Sequence, residues 1–254
     1  MAKIKTIQKL ATNYLQQFNL LNATRFLFLD ILTKLFDSNL IHSYSQTGED
    51  RIIHAIINIY GKWEKADFSS QYYVEVGCNE PIQYSNTFDL YKRGWKGLCI
   101  DGNELLINKF KKLRPNDTSV CAVVSNSKDK ITFTEFSDSG VSSVNQQHIE
   151  EWKKYSKIVS QKKITPISLN EVLDKYQAPK QFGLLSIDVE GHDFEVLSSI
   201  NLDIYQPTLI IVEMTGFNIS NVDSSNIFKY LKNYGYKIIA FAIGNAYFLR
   251  SNSI

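Results

Sequence analysis

Apolar residues fall at helical spacing over the first part of the chain. Ile4, Ile7, Leu10, Tyr14 and Phe18 recur every three or four positions, and Phe26, Leu29, Leu32, Leu35 and Phe36 repeat the pattern. Residues 1–44 are therefore expected to form an N-terminal helical extension, with the main α/β domain over 45–254. A third helix is expected from Glu49 to Tyr60, with Ile52, Ile53, Ile56 and Ile57 on its apolar stripe. Thr47 is its expected N-cap and Asp50 the partner in a variant capping box. Beyond it the pattern changes to short, continuous apolar runs separated by helices. Strands are expected at Tyr72–Val76, Gly97–Asp101, Val120–Val124, Phe182–Asp188 and Leu209–Glu213. Such runs belong to a mostly parallel sheet covered by helices on both faces.

The helices between them carry boundary signals. Ser85 or Asn86 opens a short helix ended by Gly94. Asn103 caps the next, and Ser168-Leu169-Asn170-Glu171 is a capping box. Alternation breaks between 125 and 167. There Ile131–Phe136 alternates like an edge strand, with Val141–Val144 and Ile164–Ile167 as further extended pieces and a helix over Gln146–Tyr155. Tyr236–Ala242 and Ala246–Leu249 flank Gly244-Asn245 and predict a closing antiparallel hairpin.

Composition narrows the function classes. A net charge of +2 argues against a dedicated nucleic-acid binder. The three cysteines, Cys78, Cys99 and Cys121, form no C-x-x-C pair, which fits a reduced cytoplasmic compartment. The densest apolar run, Phe26 to Leu32, contains Asp30 and is flanked by Arg25 and Lys34, so it is too short and too charged to span a bilayer. The first two helices are expected to cap the main domain. Their apolar faces leave dimerisation, or peripheral contact with the inner face of a membrane, as alternatives.

Chemistry concentrates where the strands end. Tyr73-Val74-Glu75-Val76-Gly77-Cys78-Asn79-Glu80-Pro81 runs from a buried strand into an acidic loop with a single glycine. Gly77 would let backbone approach a ligand, and Asp101, ending the next strand, could accept hydrogen bonds from a ribose diol. One glycine and two acids suit a cationic or zwitterionic ligand better than a pyrophosphate. Asp188 and Glu213 end two further strands, so four successive sheet strands end in Glu75, Asp101, Asp188 and Glu213. Gly191 implies a turn after Asp188, in which case Glu190 diverges from it. Asp193 is expected to cap the following helix, and His192 titrates near neutrality by default. The polar loop Asp138 to Ser143 is a candidate for substrate contacts.

SQTGED (45–50), YVEVGCNEP (73–81), SNTFDLYKRGWKGLCIDGN (85–103), AVVS (122–125), SGVSS (139–143), ISLNEVL (167–173), LLSIDVEGHDFEVL (184–197) and LIIVE (209–213) occur in order. Together they resemble the FkbM-like family of S-adenosylmethionine-dependent methyltransferases. The resemblance implies a Rossmann-like class I methyltransferase fold: a seven-stranded, mostly parallel sheet whose last strand is antiparallel. It implies O-methylation of a hydroxyl, most often on a sugar of a glycan, glycolipid or natural product. It also implies cofactor contacts at Glu75, Gly77, Asn79 and Asp101, with Gln46 and Ser125, and the neighbouring motif positions Cys78, Gly102 and Asn103 complete that set. Glu80-Pro81 departs from the small residue and glycine that many relatives carry after the loop Asn.

A hydroxyl nucleophile needs a base close to its proton. Asp188 and His192 are the candidates, with Glu190 third. The alternative is a divalent cation (Mg or Mn) on Asp188 and Glu213 that acidifies the hydroxyl. Two other functions compete. One is a nicotinamide-dependent dehydrogenase, which the one-glycine loop disfavours. The other is a nucleoside-binding module without catalysis.

Overall fold

A computed structural model describes residues 2–36, 42–63 and 66–251. The chain opens with α1 (Ala2–Gln17), α2 (Leu20–Phe36) and α3 (Glu49–Trp63), then enters β1 (Tyr72–Val76), α4 (Phe88–Lys92), β2 (Lys96–Asp101), α5 (Glu104–Leu113) and β3 (Thr118–Cys121). An irregular middle follows, with β4 (Ile131–Phe136), a 3-10 turn (Ser139–Val141), α6 (Gln146–Trp152) and β5 (Ile158–Ile164). Alternation resumes with α7 (Leu169–Lys175), β6 (Gln181–Ile187), α8 (Asp193–Leu197) and β7 (Gln206–Glu213). A second 3-10 segment, α9 (Asn226–Asn233), β8 (Tyr236–Ala242) and β9 (Asn245–Arg250) complete the described chain.

The main sheet has seven strands in the order β3-β2-β1-β6-β7-β9-β8, parallel except for β9, which is antiparallel to both neighbours. This is the expected α/β architecture. The chain runs outward from β1 to β3 and then returns to place β6 on the other side of β1. A crevice therefore opens at the carboxyl ends of β1 and β6, where ligands of doubly wound sheets bind.

Strand alternation sends side chains to two cores. Val74, Val76, Ile100, Leu185, Ile187 and Val212 pack with Leu169 and Val172 of α7, Val196 and Leu197 of α8 and Leu231 of α9. On the other face Tyr73, Cys99, Leu184, Ile211 and Tyr247 pack with α3, α4 and α5 through Ile53, Phe88, Tyr91 and Phe110. The first two helices join this second core as a cap. Phe18 sits edge-on to Phe88 and Tyr91, and the Tyr91 hydroxyl donates to the Gln17 carbonyl at 2.6 Å. Each buried aromatic of this kind contributes about 1.5–3 kcal/mol of apolar transfer. Among the described residues no helix is long and apolar enough to cross a membrane.

Several local expectations shift. β3 ends at Cys121 rather than Val124, and Val124 makes only an isolated parallel bridge to Ile167. β4 is not an edge of the main sheet. It pairs antiparallel with β5, an exposed Lys-rich strand without an apolar pattern to announce it. Residues 141–144 contribute only a bridge from Ser143 to Thr134, and α6 stops at Trp152. Thr47 and Asp50 form no capping box. The Asp50 carboxylate instead accepts from the Tyr44 backbone (2.8 Å) and the Ser43 and Ser45 hydroxyls, pinning the loop before α3.

Arg114, fully buried after α5, binds the elements beneath the crevice. Its guanidinium donates to Asp117 (2.7 Å), the Tyr73 hydroxyl (2.7 Å), the Thr87 hydroxyl (2.8 Å) and Ser85 (3.2 Å), and lies 4.0 Å from Glu75. Asp117 also accepts from Tyr73 and from the Gly97 backbone, both at 2.8 Å. The guanidinium nitrogens all donate and both Asp117 oxygens accept, the condition under which buried charge is tolerated. Replacing Arg114 with Met should cost about 3–5 kcal/mol, because Asp117 and Glu75 would remain buried without their cation; chemical denaturation of the variant measures it.

Candidate functional site

A cleft partly open to solvent lies over the carboxyl ends of β1, β2 and β6. Its floor is the junction of β1 and β6. The Gly77 and Cys78 amides continue onto the Ile100 carbonyl, and the Asp188 amide donates to the Val76 carbonyl at 3.0 Å. Gly77 has φ +79°, and a Cβ there would lie 1.7 Å from the Asp188 carbonyl oxygen. The contact between the two strand ends thus requires glycine here, and Gly77 also lines the cleft.

Asp101 forms one wall. Its Oδ2 accepts from the Asn79 amide at 3.0 Å and its Oδ1 from the Asn103 amide at 2.8 Å, so the carboxylate is fixed between the two loops it bridges. Burial pushes its pKa up to about 6 against those two donors. An ionised carboxylate has about four acceptor sites, so lone pairs stay free for a ligand diol. Asn79 adopts φ +46°, and its side-chain oxygen accepts from Ser139 at 3.0 Å. Phe133 of β4 covers Gly102, where a Cβ would come within 2.8 Å of the ring.

The loop 138–145 forms the roof, fastened to both loops below. Besides the Ser139–Asn79 bond, Ser143 donates to the Glu190 carbonyl (2.8 Å) and Asn145 to the Gly191 carbonyl (2.6 Å). The turn that follows β6 has positive φ at Glu190 (57°) and Gly191 (86°) and is closed by Asp193, which accepts from the Val189 and Gly191 amides at 3.1 Å. Asp193 therefore closes this turn instead of capping the following helix, whose N-cap position is His192 without a side-chain cap bond.

Asp188, Glu190 and His192 all line the cleft, but in different states. No donor among the described residues reaches the Asp188 carboxylate. Burial, then the neighbouring Glu213, Glu49 and Glu75, push its pKa up to about 7. Burial, then Asp188 and Glu213, push Glu190 up to about 9. Its Oε2 lies 3.6 Å from His148, whose own pKa burial lowers, so the two meet as neutral groups near pH 7. His192 is also lowered by burial, and its Nε2 pairs with the Ser125 hydroxyl at 2.9 Å.

The other expected contacts separate from the cleft. Glu75 is buried beneath it, accepting from Thr87 at 2.6 Å beside Arg114. Cys78 is sealed in the second core, and Asn103 is occupied as the N-cap of α5. Ser125 reaches the cleft only through His192, and Gln46 is exposed on the turn before α3. Glu213 lies beyond Asp188 and does not line the cleft. Among the described residues no group of three or more His, Cys, Asp or Glu is placed to hold a metal ion, which gives the cation expected on Asp188 and Glu213 no support. The sequence did not point to Phe133, Val123 or Val124 as lining residues, because their apolar character is indistinguishable from core.

Residues 75–238 match the profile of the methyltransferase FkbM domain. No curated protein matches the chain significantly. Among solved structures, a TehB-like SAM-dependent methyltransferase from Corynebacterium glutamicum aligns at 14% identity with a TM-score of 0.40, over 88% of this chain and 96% of that one.

Because the folded-state pKa of Asp188 is raised, its ionisation costs stability progressively from the ordinary carboxylate range up to about pH 7 and fully above it. Asp188→Asn should therefore stabilise the protein at pH 8, by on the order of 1 kcal/mol or more, and much less at pH 4; thermal melts of both proteins at the two pH values test the sign.

Proposed function

The chain belongs to the FkbM family of S-adenosylmethionine-dependent methyltransferases, and from that premise we propose that it methylates a hydroxyl group on a sugar of a glycan, glycolipid or natural product. The observation that supports this reading most is Asp188. It is a cleft carboxylate at the β1–β6 crevice, free of internal donors, with its pKa brought to about 7.

The residues fit the donor. Asp101, held by the Asn79 and Asn103 amides, is the group for the ribose diol. Phe133, Val123 and Val124 offer apolar surface for the adenine. The acidic edge formed by Asp188, Glu49 and Glu213 complements a cationic sulfonium and repels a pyrophosphate, which favours this donor over a nicotinamide dinucleotide. When bound, S-adenosylmethionine supplies an already activated methyl group. The chain must then hold the acceptor oxygen in line with it and take up the proton.

Asp188 is the base in this reading. A carboxylate with a pKa near the working pH is present in the ionised form and still basic enough to accept a proton. Glu190, protonated near neutrality, can donate a hydrogen bond but cannot serve as base. His192, held by Ser125, serves to position the turn rather than to titrate. The cytoplasm is the proposed compartment. The helices α1 and α2 are the elements that would meet a membrane surface or a second copy.

Asp188→Asn should lower kcat by about 10²–10⁴ while the affinity for S-adenosylhomocysteine, measured calorimetrically, changes only a few-fold. The ascending limb of the wild-type pH profile near 7 should disappear with it. Loss of cofactor affinity with turnover intact at saturation would remove Asp188 from this role.

A further inference from the structure

Beside the cleft, on the far side of Asp188, is a polar corner that the donor reading leaves unused. In the antiparallel pairing of β7 and β9, Glu213 is opposite Asn245 and Ile211 opposite Tyr247. Paired residues, and residues two apart on one strand, share a face, so Glu213, Asn245 and Tyr247 all face α3. Glu49, at the start of α3, closes the corner by accepting from the Asn245 side-chain nitrogen at 3.3 Å. None of these four residues lines the donor cleft.

The corner is built but not satisfied. Asn245 is 7% exposed and Tyr247 0%. Glu213 Oε1 accepts from Thr215 at 2.9 Å, yet Glu213 Oε2, Asn245 Oδ1 and the Tyr247 hydroxyl are buried without any hydrogen-bond partner. Native structures rarely leave such groups unpaired, and three together on one face call for a further partner, an ordered water or an outside group. Burial, Glu49 and Asp50 all keep the Tyr247 phenol protonated. The missing complement can be read from what is present: a carboxylate oxygen and an amide oxygen that both need donors, within a field set by Glu49, Glu213 and Asp188. Among the described residues no lysine or arginine forms a salt bridge with any of these three acids. A neutral hydroxyl offers one donor and no charge. A protonated primary amine offers three donors and the balancing charge.

We propose that Glu49, Glu213, Asn245 and Tyr247 form an acceptor subsite for a protonated amine, so that the molecule methylated carries an ammonium group near its reacting hydroxyl, as an amino sugar does. Asp188 stands between this subsite and the donor cleft, where it can face the hydroxyl while the ammonium is anchored behind it. Uronate or phosphate substituents would meet like charge in the same place. This inference rests on the methyltransferase reading above and narrows its acceptor.

The test uses the full chain saturated with S-adenosylhomocysteine, in EDTA so that no metal ion occupies the acids. Glucosamine and galactosamine are each compared with their N-acetyl forms by saturation-transfer NMR and calorimetry at pH 7. The amines should bind at least about tenfold more tightly than their N-acetyl partners. Glu213→Gln and, separately, Tyr247→Phe should reduce that ratio while S-adenosylhomocysteine still binds. Equal affinity for the two forms, no measurable binding of either amine, or a ratio unchanged in Glu213→Gln would overturn the subsite and leave the orphaned atoms to water. If S-adenosylhomocysteine itself fails to bind, the donor reading falls instead, and the two failures are told apart by that first titration.

Discussion

A single buried guanidinium holds the functional edge of this fold in place. Arg114 touches β1 through Tyr73, the segment before α4 through Ser85 and Thr87, and the turn into β3 through Asp117. These are the pieces that flank the first half of the crevice. A hydrophobic side chain of similar volume could fill the space but could not fix the directions of five separate polar groups. The arrangement also explains Glu75. Its carboxylate follows the motif expected of a ligand contact, yet it belongs to the foundation, and its distance from the cleft is set by the 2.6 Å bond to Thr87.

Above that foundation the edge accumulates negative charge with little compensation. Burial, then Glu213 and Glu49, raises the proton affinity of Asp188, and burial, then Asp188 and Glu213, raises that of Glu190. Such crowding lowers stability at neutral pH and is tolerated where function draws on it. Its chemical meaning is selective. Glu190 is left protonated and Asp188 near its midpoint at neutral pH, so two carboxyls two residues apart in sequence differ in how readily they ionise.

The architecture was legible wherever the apolar pattern was strong. The five parallel strands, the Asn103 cap and the Ser168 capping box all follow from local chemistry. Legibility failed where a residue's partner is distant in sequence. Nothing local distinguishes Arg114 from the exposed lysines that precede it. β5 escaped because its face is Lys-rich and its pairing with β4 spans the irregular segment. The hairpin was found but misplaced by one residue. The turn is at Ile243 and Gly244, both with positive φ, rather than at Gly244-Asn245. That shift moves Asn245 from a solvent turn into β9 opposite Glu213, which is why an interior polar corner was invisible in the sequence.

Gly77 shows how a cleft-lining motif glycine can also be fixed by backbone packing. The obstacle to a side chain there is the Asp188 carbonyl oxygen, a backbone atom that no rotamer change can move. A saturation scan at this position would consequently reject every alternative for one common reason, whatever the chemistry of the replacement, and would report on the seam between two strands. Tolerance at 77 could be regained only by rebuilding the segment after β6, so the two loops are constrained to diverge as a unit across descendants of this sequence.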